Sequence, residues 1–195
     1  MNKDFVSTAI EALRKGEIIV YPTDTLYALG ADVYNKEAVR KVFRIKKRPY
    51  SKPFSVAVFD FNDLEKISYT NDIVKQVVKN FLPGPLTLLL KKKKVISNLI
   101  TGDKDTIAVR IPKNDIALDL LSTFGPLTAT SANIHGKKTP CVINDLTMQF
   151  RNNVSVYLDD GKLKGSPSTI VDLTTKKPFL VRAGTISIDE IMKVI

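Results

Sequence analysis

One cysteine, one histidine and no tryptophan occur in 195 residues. A lone Cys141 cannot close an intrachain disulfide, so the chain is expected to work in a reducing, cytoplasmic setting. One histidine and one cysteine cannot build a zinc site. Any metal is therefore expected to be Mg²⁺ held mainly by substrate phosphates. A Ser/His/Asp or Cys/His hydrolase has little to stand on, because neither His135 nor Cys141 lies in a nucleophile-elbow motif. Long apolar runs are missing too. Ile18–Tyr21 and Leu86–Leu90 are far too short to span a bilayer, and Met1–Phe5 lacks the basic-then-apolar layout of a secretory signal. No membrane partner is expected.

Glycine-rich phosphate motifs are also absent. Neither GxxxxGK[ST] nor GxGxxG occurs, and Gly161-Lys162-Leu163-Lys164-Gly165-Ser166 has the wrong spacing for either. If this chain binds a triphosphate, side-chain cations and hydroxyls must do what a P-loop backbone does elsewhere.

Against these absences stands an excess of positive charge. Thirty Lys and Arg against 20 Asp and Glu give a formal net charge of +10. Such a balance either draws nucleic acid and phosphate-rich small molecules or simply solvates the surface. Lys91-Lys92-Lys93-Lys94 follows an apolar strand without interleaved aromatics, which reads as a protected strand end. The length suits one domain over residues 1–195.

Read in order, Asp4–Lys15 is an amphipathic helix stopped by Gly16. Strands are expected at Ile18–Tyr21 and Leu26–Leu29, either side of the turn Pro22-Thr23-Asp24-Thr25. Asn35 caps a helix whose inner face is Ala38, Val39, Val42 and Phe43, and Pro49 ends its basic last turn. A strand at Phe54–Phe59 is followed by helices near Asn62–Ile67 and Asp72–Phe81. Further strands are expected at Leu86–Leu90, Thr106–Ile111, Leu127–Ser131, Val154–Leu158, Ser168–Leu173 and Phe179–Arg182. Helices at Ile116–Thr123, Val142–Phe150 and Ile188–Val194 complete the chain. Strands and helices mix without strict alternation, which predicts an α/β (α+β) fold around a twisted, mixed sheet.

Four segments carry candidate chemistry. Lys46 and Arg48 offer a point charge and a bidentate fork, suited to adjacent phosphates or to a solvated helix end. Arg110 sits between Ala108-Val109 and Ile111-Pro112 on a strand that reads as buried. An unpaired guanidinium there is expensive, so either a protein carboxylate or a ligand carboxylate must meet it. Ser131-Ala132-Asn133 lies where a strand meets a loop, a favoured place for ligand contacts. Ser168-Thr169 enters another strand.

In this order the segments resemble the YrdC-like family, the L-threonylcarbamoyladenylate synthases. YPTDTLYALG is similar to the family's P-T-[ET]-T-x-Y-[GA]-L-G opening, and RIKKRPYSKP to its K-x-R segment and following K-P. FLPGPLTLLL, TIAVRIP, TATSAN, STIVD and VRAG resemble later blocks, and ending at Ile195 resembles the short form. The resemblance implies a twisted mixed sheet flanked by helices around a concave, basic cleft. It also implies a nucleotidyltransferase reaction: ATP, bicarbonate and L-threonine give threonylcarbamoyl-AMP and pyrophosphate. A downstream tRNA threonylcarbamoyl transferase would then modify an adenosine beside the anticodon.

By the same resemblance Lys46 and Arg48 would be catalytic and hold the ATP phosphates, with Mg²⁺ arriving on ATP. Thr23, Arg110, Ser131 and Ser168 would bind threonine; Asn133, Thr139 and Arg182 would contact the nucleotide. One departure stands out. Many relatives carry a histidine where this chain has Ala57. Two rival readings remain: an RNA-binding module for tRNA or rRNA without turnover, with direct contact to tRNA or double-stranded RNA, and a carbamoyl-adenylate enzyme of the hydrogenase-maturation kind, whose zinc-binding cysteines are missing here.

Overall fold

The computed structural model describes residues 3–175 and 177–195. The chain opens with α1 (Lys3–Arg14), whose Ala9, Leu13 and neighbours at helical spacing are buried. Then come β1 (Ile19–Tyr21), β2 (Ala28–Gly30) and α2 (Lys36–Lys46). Asn35 caps α2 by accepting from the backbone N–H groups of Glu37 and Ala38 at 3.0 and 3.1 Å. The middle of the chain holds β3 (Ser55–Ala57), α3 (Phe61–Ile67), α4 (Asp72–Phe81), β4 (Leu86–Lys91) and α5 (Asn98–Thr101). After β5 (Thr106–Arg110) and α6 (Asp115–Phe124) come β6 (Leu127–Thr128), β7 (Thr130–Ser131), α7 (Ile143–Phe150) and β8 (Val156–Tyr157). The chain closes with β9 (Thr169–Asp172), β10 (Phe179–Arg182) and α8 (Ile188–Met192). The short helix α5 had no signal in the sequence pattern.

Two mixed sheets form where one was expected. The smaller runs β7-β2-β1-β8 and the larger β10-β9-β4-β5-β3-β6. Pairing in both is part antiparallel and part parallel, for instance β1 antiparallel to β2 and parallel to β8. The alternation of β1 explains its unbroken apolar sequence. Ile18 and Val20 point into a large core with Val39, Val42 and Phe43 of α2, while Ile19 and Tyr21 point into a second core with α1 and α6. A strand covered on both faces needs apolar residues at every position.

The division into two sheets happens inside Leu127–Ser131, which the sequence pattern presents as one strand. Leu127 and Thr128 pair with β3 of the larger sheet, and Thr130 and Ser131 with β2 of the smaller. Thr128 straddles the switch. Its hydroxyl donates to the Leu29 carbonyl at 2.8 Å and accepts from the Ala31 N–H at 3.0 Å, while its carbonyl accepts from the Tyr21 hydroxyl at 3.0 Å. Thr128 is fully buried. Apolar periodicity cannot show such a switch, because both halves of the segment are buried. Replacing Thr128 with Val keeps the shape but strands polar groups of Leu29 and Ala31. We expect the unfolding free energy to fall by about 1–3 kcal/mol, measured by urea denaturation. An unchanged midpoint would show that the hydroxyl is not what joins the two sheets there.

Candidate functional site

Side chains from both sheets line a cleft of about 590 Å³. Among the described residues its lining holds Arg48, Lys104, Arg110, Lys137, Lys138 and Arg182, and no carboxylate. Ten hydroxyl side chains line it as well, among them Thr23, Thr25, Ser131, Thr139 and Ser168. Such a wall offers donors and positive charge, which suits an anion with many oxygens.

The first wall is the turn between β1 and β2. Thr23 Oγ1 donates to the Leu26 carbonyl at 2.6 Å and accepts from the N–H groups of Thr25 and Leu26 at 3.2 Å each. That side-chain-to-backbone closure fixes the turn. Thr23 and Thr25 hydroxyls lie 2.9 Å apart, and Thr25 Oγ1 accepts from Arg110 Nη1 at 2.9 Å. Each hydroxyl has one hydrogen, so the direction of the chain is forced. Arg110 donates to Thr25, Thr25 to Thr23, and Thr23 to Leu26.

Arg110 has a protein carboxylate as its partner. Nη2 reaches Asp24 Oδ1 at 2.6 Å and the Gly84 carbonyl at 3.4 Å. Asp24 Oδ1 also accepts from the Lys113 N–H at 3.1 Å. Burial pulls the Arg110 guanidinium below its usual range, while Asp24 opposes that shift. Its Nε–H is a buried donor with no partner among the described residues, and Asp24 Oδ2 is likewise a buried acceptor without one. Arg110 thus faces the cleft already paired, with two of its five N–H bonds, Nε–H and one on Nη1, unspent.

The end of α2 separates the two cations expected to act together. Lys46 is 1% exposed and turns inward, away from the cleft. Its ammonium donates to the carbonyls of Ser131 and Asn133, the latter at 2.9 Å, and to Asn133 Oδ1 at 3.0 Å. Burial first, and Arg48 second, push its pKa down to about 7. The three oxygens match the three N–H bonds of the charged form. Lys47 then adopts a left-handed conformation, φ 51° and ψ 43°, with its N–H on the Arg44 carbonyl. That turn sends Arg48 the other way, into the cleft lining. Arg48 Nε and Nη2 donate to the carbonyls of Lys52 and Pro53 at 3.1 and 3.0 Å, and its Cζ lies 5.5 Å from the Phe54 ring centre. Partial burial lowers its pKa.

Asn133 is a structural node rather than a lining residue. Its Oδ1 accepts from Lys46 and from Ser131 Oγ, the latter at 2.7 Å, and its Nδ2 donates to the carbonyls of Ile134 (3.1 Å) and Lys137. The far wall comes from β9 and β10. Arg182 Nε and Nη2 donate to the Ser168 carbonyl at 3.1 and 2.7 Å, and Nη2 also reaches Ser168 Oγ at 3.1 Å. Ser168 Oγ and Thr87 Oγ1 are 2.8 Å apart. Burial, together with Arg110, lowers the Arg182 pKa. Gly184 makes this wall close, since a Cβ there would stand 2.3 Å from the Thr169 nitrogen.

Of the expected site residues, Thr23, Arg48, Arg110, Ser131, Thr139, Ser168 and Arg182 line the cleft, while Lys46 and Asn133 stand behind it. Ala57 is fully buried in the second core and pairs with Arg110 across β3 and β5. Lys104, Lys137 and Lys138 were not singled out from sequence. The lysine pair directly follows the Ser-Ala-Asn loop and so was findable; Lys104, in the turn before β5, carried no signal. No group of three or more His, Cys, Asp or Glu among the described residues could hold a metal ion.

The fold of two mixed sheets flanked by helices agrees with that of known proteins. The model of the Sua5/YciO/YrdC family, described as telomere recombination, matches residues 11–184. This chain belongs to that family. A Methanocaldococcus jannaschii protein, named provisionally as a threonylcarbamoyl-AMP synthase, is 40% identical over 99% of this chain and 94% of its own length. The threonylcarbamoyl-AMP synthase of Pyrococcus abyssi is 38% identical over 94% of this chain, which spans only 55% of that protein. The structure of P. abyssi Sua5 complexed with L-threonine superposes with a TM-score of 0.94 at 37% identity, over 97% of this chain and 57% of the other. That of Escherichia coli YciO gives 0.89 at 32% identity, over 96% and 92%; YciO bears no activity name.

Lys46→Met removes the ammonium that ties α2 to the Ser131–Asn133 loop: the Asn133 carbonyl loses that donor, while Asn133 Oδ1 keeps Ser131 Oγ and the Ser131 carbonyl keeps the Asn133 N–H. We expect an unfolding free energy lower by about 1–3 kcal/mol, read by urea denaturation. Wild-type stability in this variant would show that the loop holds itself.

Proposed function

We propose that this chain is an L-threonylcarbamoyladenylate synthase, a nucleotidyltransferase that supplies threonylcarbamoyl-AMP for modification of tRNA. The observation that carries the reading is the cleft lining, which among the described residues has six cations, ten hydroxyls and no carboxylate. Its relationship to the P. abyssi protein, whose structure holds L-threonine, supports it.

The chemistry needs two bond-forming steps. The threonine amine attacks the carbon of bicarbonate or of the CO₂ it yields, giving a carbamate and, from bicarbonate, water. A carbamate oxygen then attacks the α-phosphorus of ATP and pyrophosphate leaves. No covalent enzyme intermediate is required, so positioning and charge stabilisation supply the acceleration. In this reading Arg48, Lys137 and Lys138 meet the phosphates, and Thr139 and Arg182 stand beside the nucleotide. The threonine carboxylate docks against Arg110, whose Nε–H is unspent, with Thr23, Ser131 and Ser168 as hydroxyl partners. Lys46 and Asn133 act from behind by holding Ser131 in place. Mg²⁺ would arrive with ATP on phosphate oxygens, because the wall offers hydroxyls and no carboxylate, and would screen the phosphate charge. A tRNA threonylcarbamoyl transferase would consume the product, and the working compartment would be the cytoplasm.

Direct contact with tRNA or double-stranded RNA is the second reading, favoured by the net charge of +10 and by the exposed Lys104, Lys137 and Lys138 at the cleft. Among the described residues no helix is long and apolar enough to cross a membrane. The test is pyrophosphate release from purified protein with ATP, Mg²⁺ and bicarbonate, with and without L-threonine, the product being identified by mass spectrometry. Threonine-dependent release is expected, and replacing both Lys137 and Lys138 with Ala should raise the KM for ATP roughly tenfold, in line with two lost charge-assisted contacts partly screened by solvent. Steeply salt-dependent RNA binding with no release would overturn the enzyme reading in favour of the second.

A further inference from the structure

The only histidine of the chain stands next to one of the cleft cations. His135 Nδ1 lies 3.3 Å from Arg48 Nη1. An arginine has no lone pair to offer, so in this contact the guanidinium donates and the imidazole accepts. The histidine is itself fixed by its backbone, whose N–H donates to the Lys46 carbonyl at 2.8 Å. Arg48 is thereby held on three sides: the Lys52 carbonyl on Nε, the Pro53 carbonyl on Nη2 and His135 on Nη1. Three of five N–H bonds are spent on orientation, which leaves two for a ligand.

We propose that His135 is a positioning residue, holding the Arg48 fork at the cleft for a phosphate group of the nucleotide. The inference rests on the reading of the cleft as an ATP site. It assigns His135 no contact with the reacting atoms, and His135 does not line the cleft. It also makes nucleotide binding sensitive to acid. An imidazolium has no lone pair on Nδ1, so protonation converts the acceptor into a second cation facing Arg48. The charged groups that face His135 are Arg48 and Lys52 from the segment after α2 and Lys46 from α2 itself, all of them cations. Desolvation and these three cations hold the imidazole below its usual 6.5. The acceptor form is therefore the one present at neutral pH, and the anchor is lost as pH falls through a midpoint below 6.5.

Because the chain has a single histidine, its imidazole resonances need no assignment. The experiment has two parts: an NMR pH titration of His135 in the wild type and in Arg48→Ala, and calorimetric Kd values for a non-hydrolysable ATP analogue between pH 5.5 and 8.5. We expect a depressed midpoint in the wild type that moves up when Arg48 is removed. At pH 8, His135→Ala should weaken the analogue roughly fivefold, the scale of one lost hydrogen bond. His135→Asn places an amide oxygen where Nδ1 sits, so it should bind like the wild type at pH 8. At pH 5.5 it should lose less affinity than the wild type does.

A His135 midpoint indifferent to Arg48, or a wild-type Kd in His135→Ala, overturns the inference while leaving the ATP site standing. Failure of the wild type to bind the analogue at any pH overturns the site itself, and the inference with it. Thermal melting of each variant separates loss of fold from loss of binding.

Discussion

A buried arginine cannot be left unmet, and the arrangement of the cleft follows from how Arg110 is met. Asp24 lies 2.6 Å away, and both side chains are close to fully buried, at 6% and 11% exposure. Taking both charges out of water is costly, and hydrogen bonds from Arg110 to Thr25 and Gly84, and to Asp24 from the Lys113 N–H, offset that cost. Arg110 ends a strand of the larger sheet, whereas Asp24 sits in the turn leaving β1 of the smaller one. One ion pair therefore ties the sheets together at the wall of the cleft they form. It also orients the Thr25 and Thr23 hydroxyls in one direction, so the wall presents a fixed polarity to whatever enters.

A second cation does comparable work from outside the cleft. Lys46 binds three oxygens of the Ser131–Asn133 loop, and the left-handed residue after it turns Arg48 toward the opposite side. The K-x-R pattern thus divides its labour. One cation fixes a loop that carries Ser131, and the other presents a fork whose direction is set by two carbonyls and the Phe54 ring. A non-glycine left-handed residue costs on the order of 1 kcal/mol, and here that strain separates two side chains only two residues apart.

Much of this was legible in the residues, and the parts that were not share a physical cause. Arg110 among apolar neighbours announced a buried charge that needed a partner, but spacing cannot say that Asp24, 86 positions earlier, is the one. Strands and helices followed from apolar periodicity and from Asn35 as a cap; Asn71 and Asn114, which cap α4 and α6 in the same way, were not singled out. The sheet division within Leu127–Ser131 did not, because residues buried in either sheet look alike in sequence. Lys46 reads as a solvated helix end or a phosphate ligand by residue type alone. Only the placement of α2 against the Ser-Ala-Asn loop shows that its ammonium is buried. Ala57 is read differently once its packing is known: it occupies a core position beside Arg110 rather than the cleft wall.

In the proposed reaction an amino-acid carboxylate and a nucleoside triphosphate meet in the cleft between the sheets. A crystal structure of the protein with L-threonine and a non-hydrolysable ATP analogue tests this most directly. Density is expected for the threonine carboxylate within hydrogen-bonding distance of Arg110, with the analogue's phosphates against Arg48, and with Lys46 still bound to the Ser131–Asn133 loop. Either ligand seated outside the cleft, or threonine turned with its carboxylate away from Arg110, would contradict it.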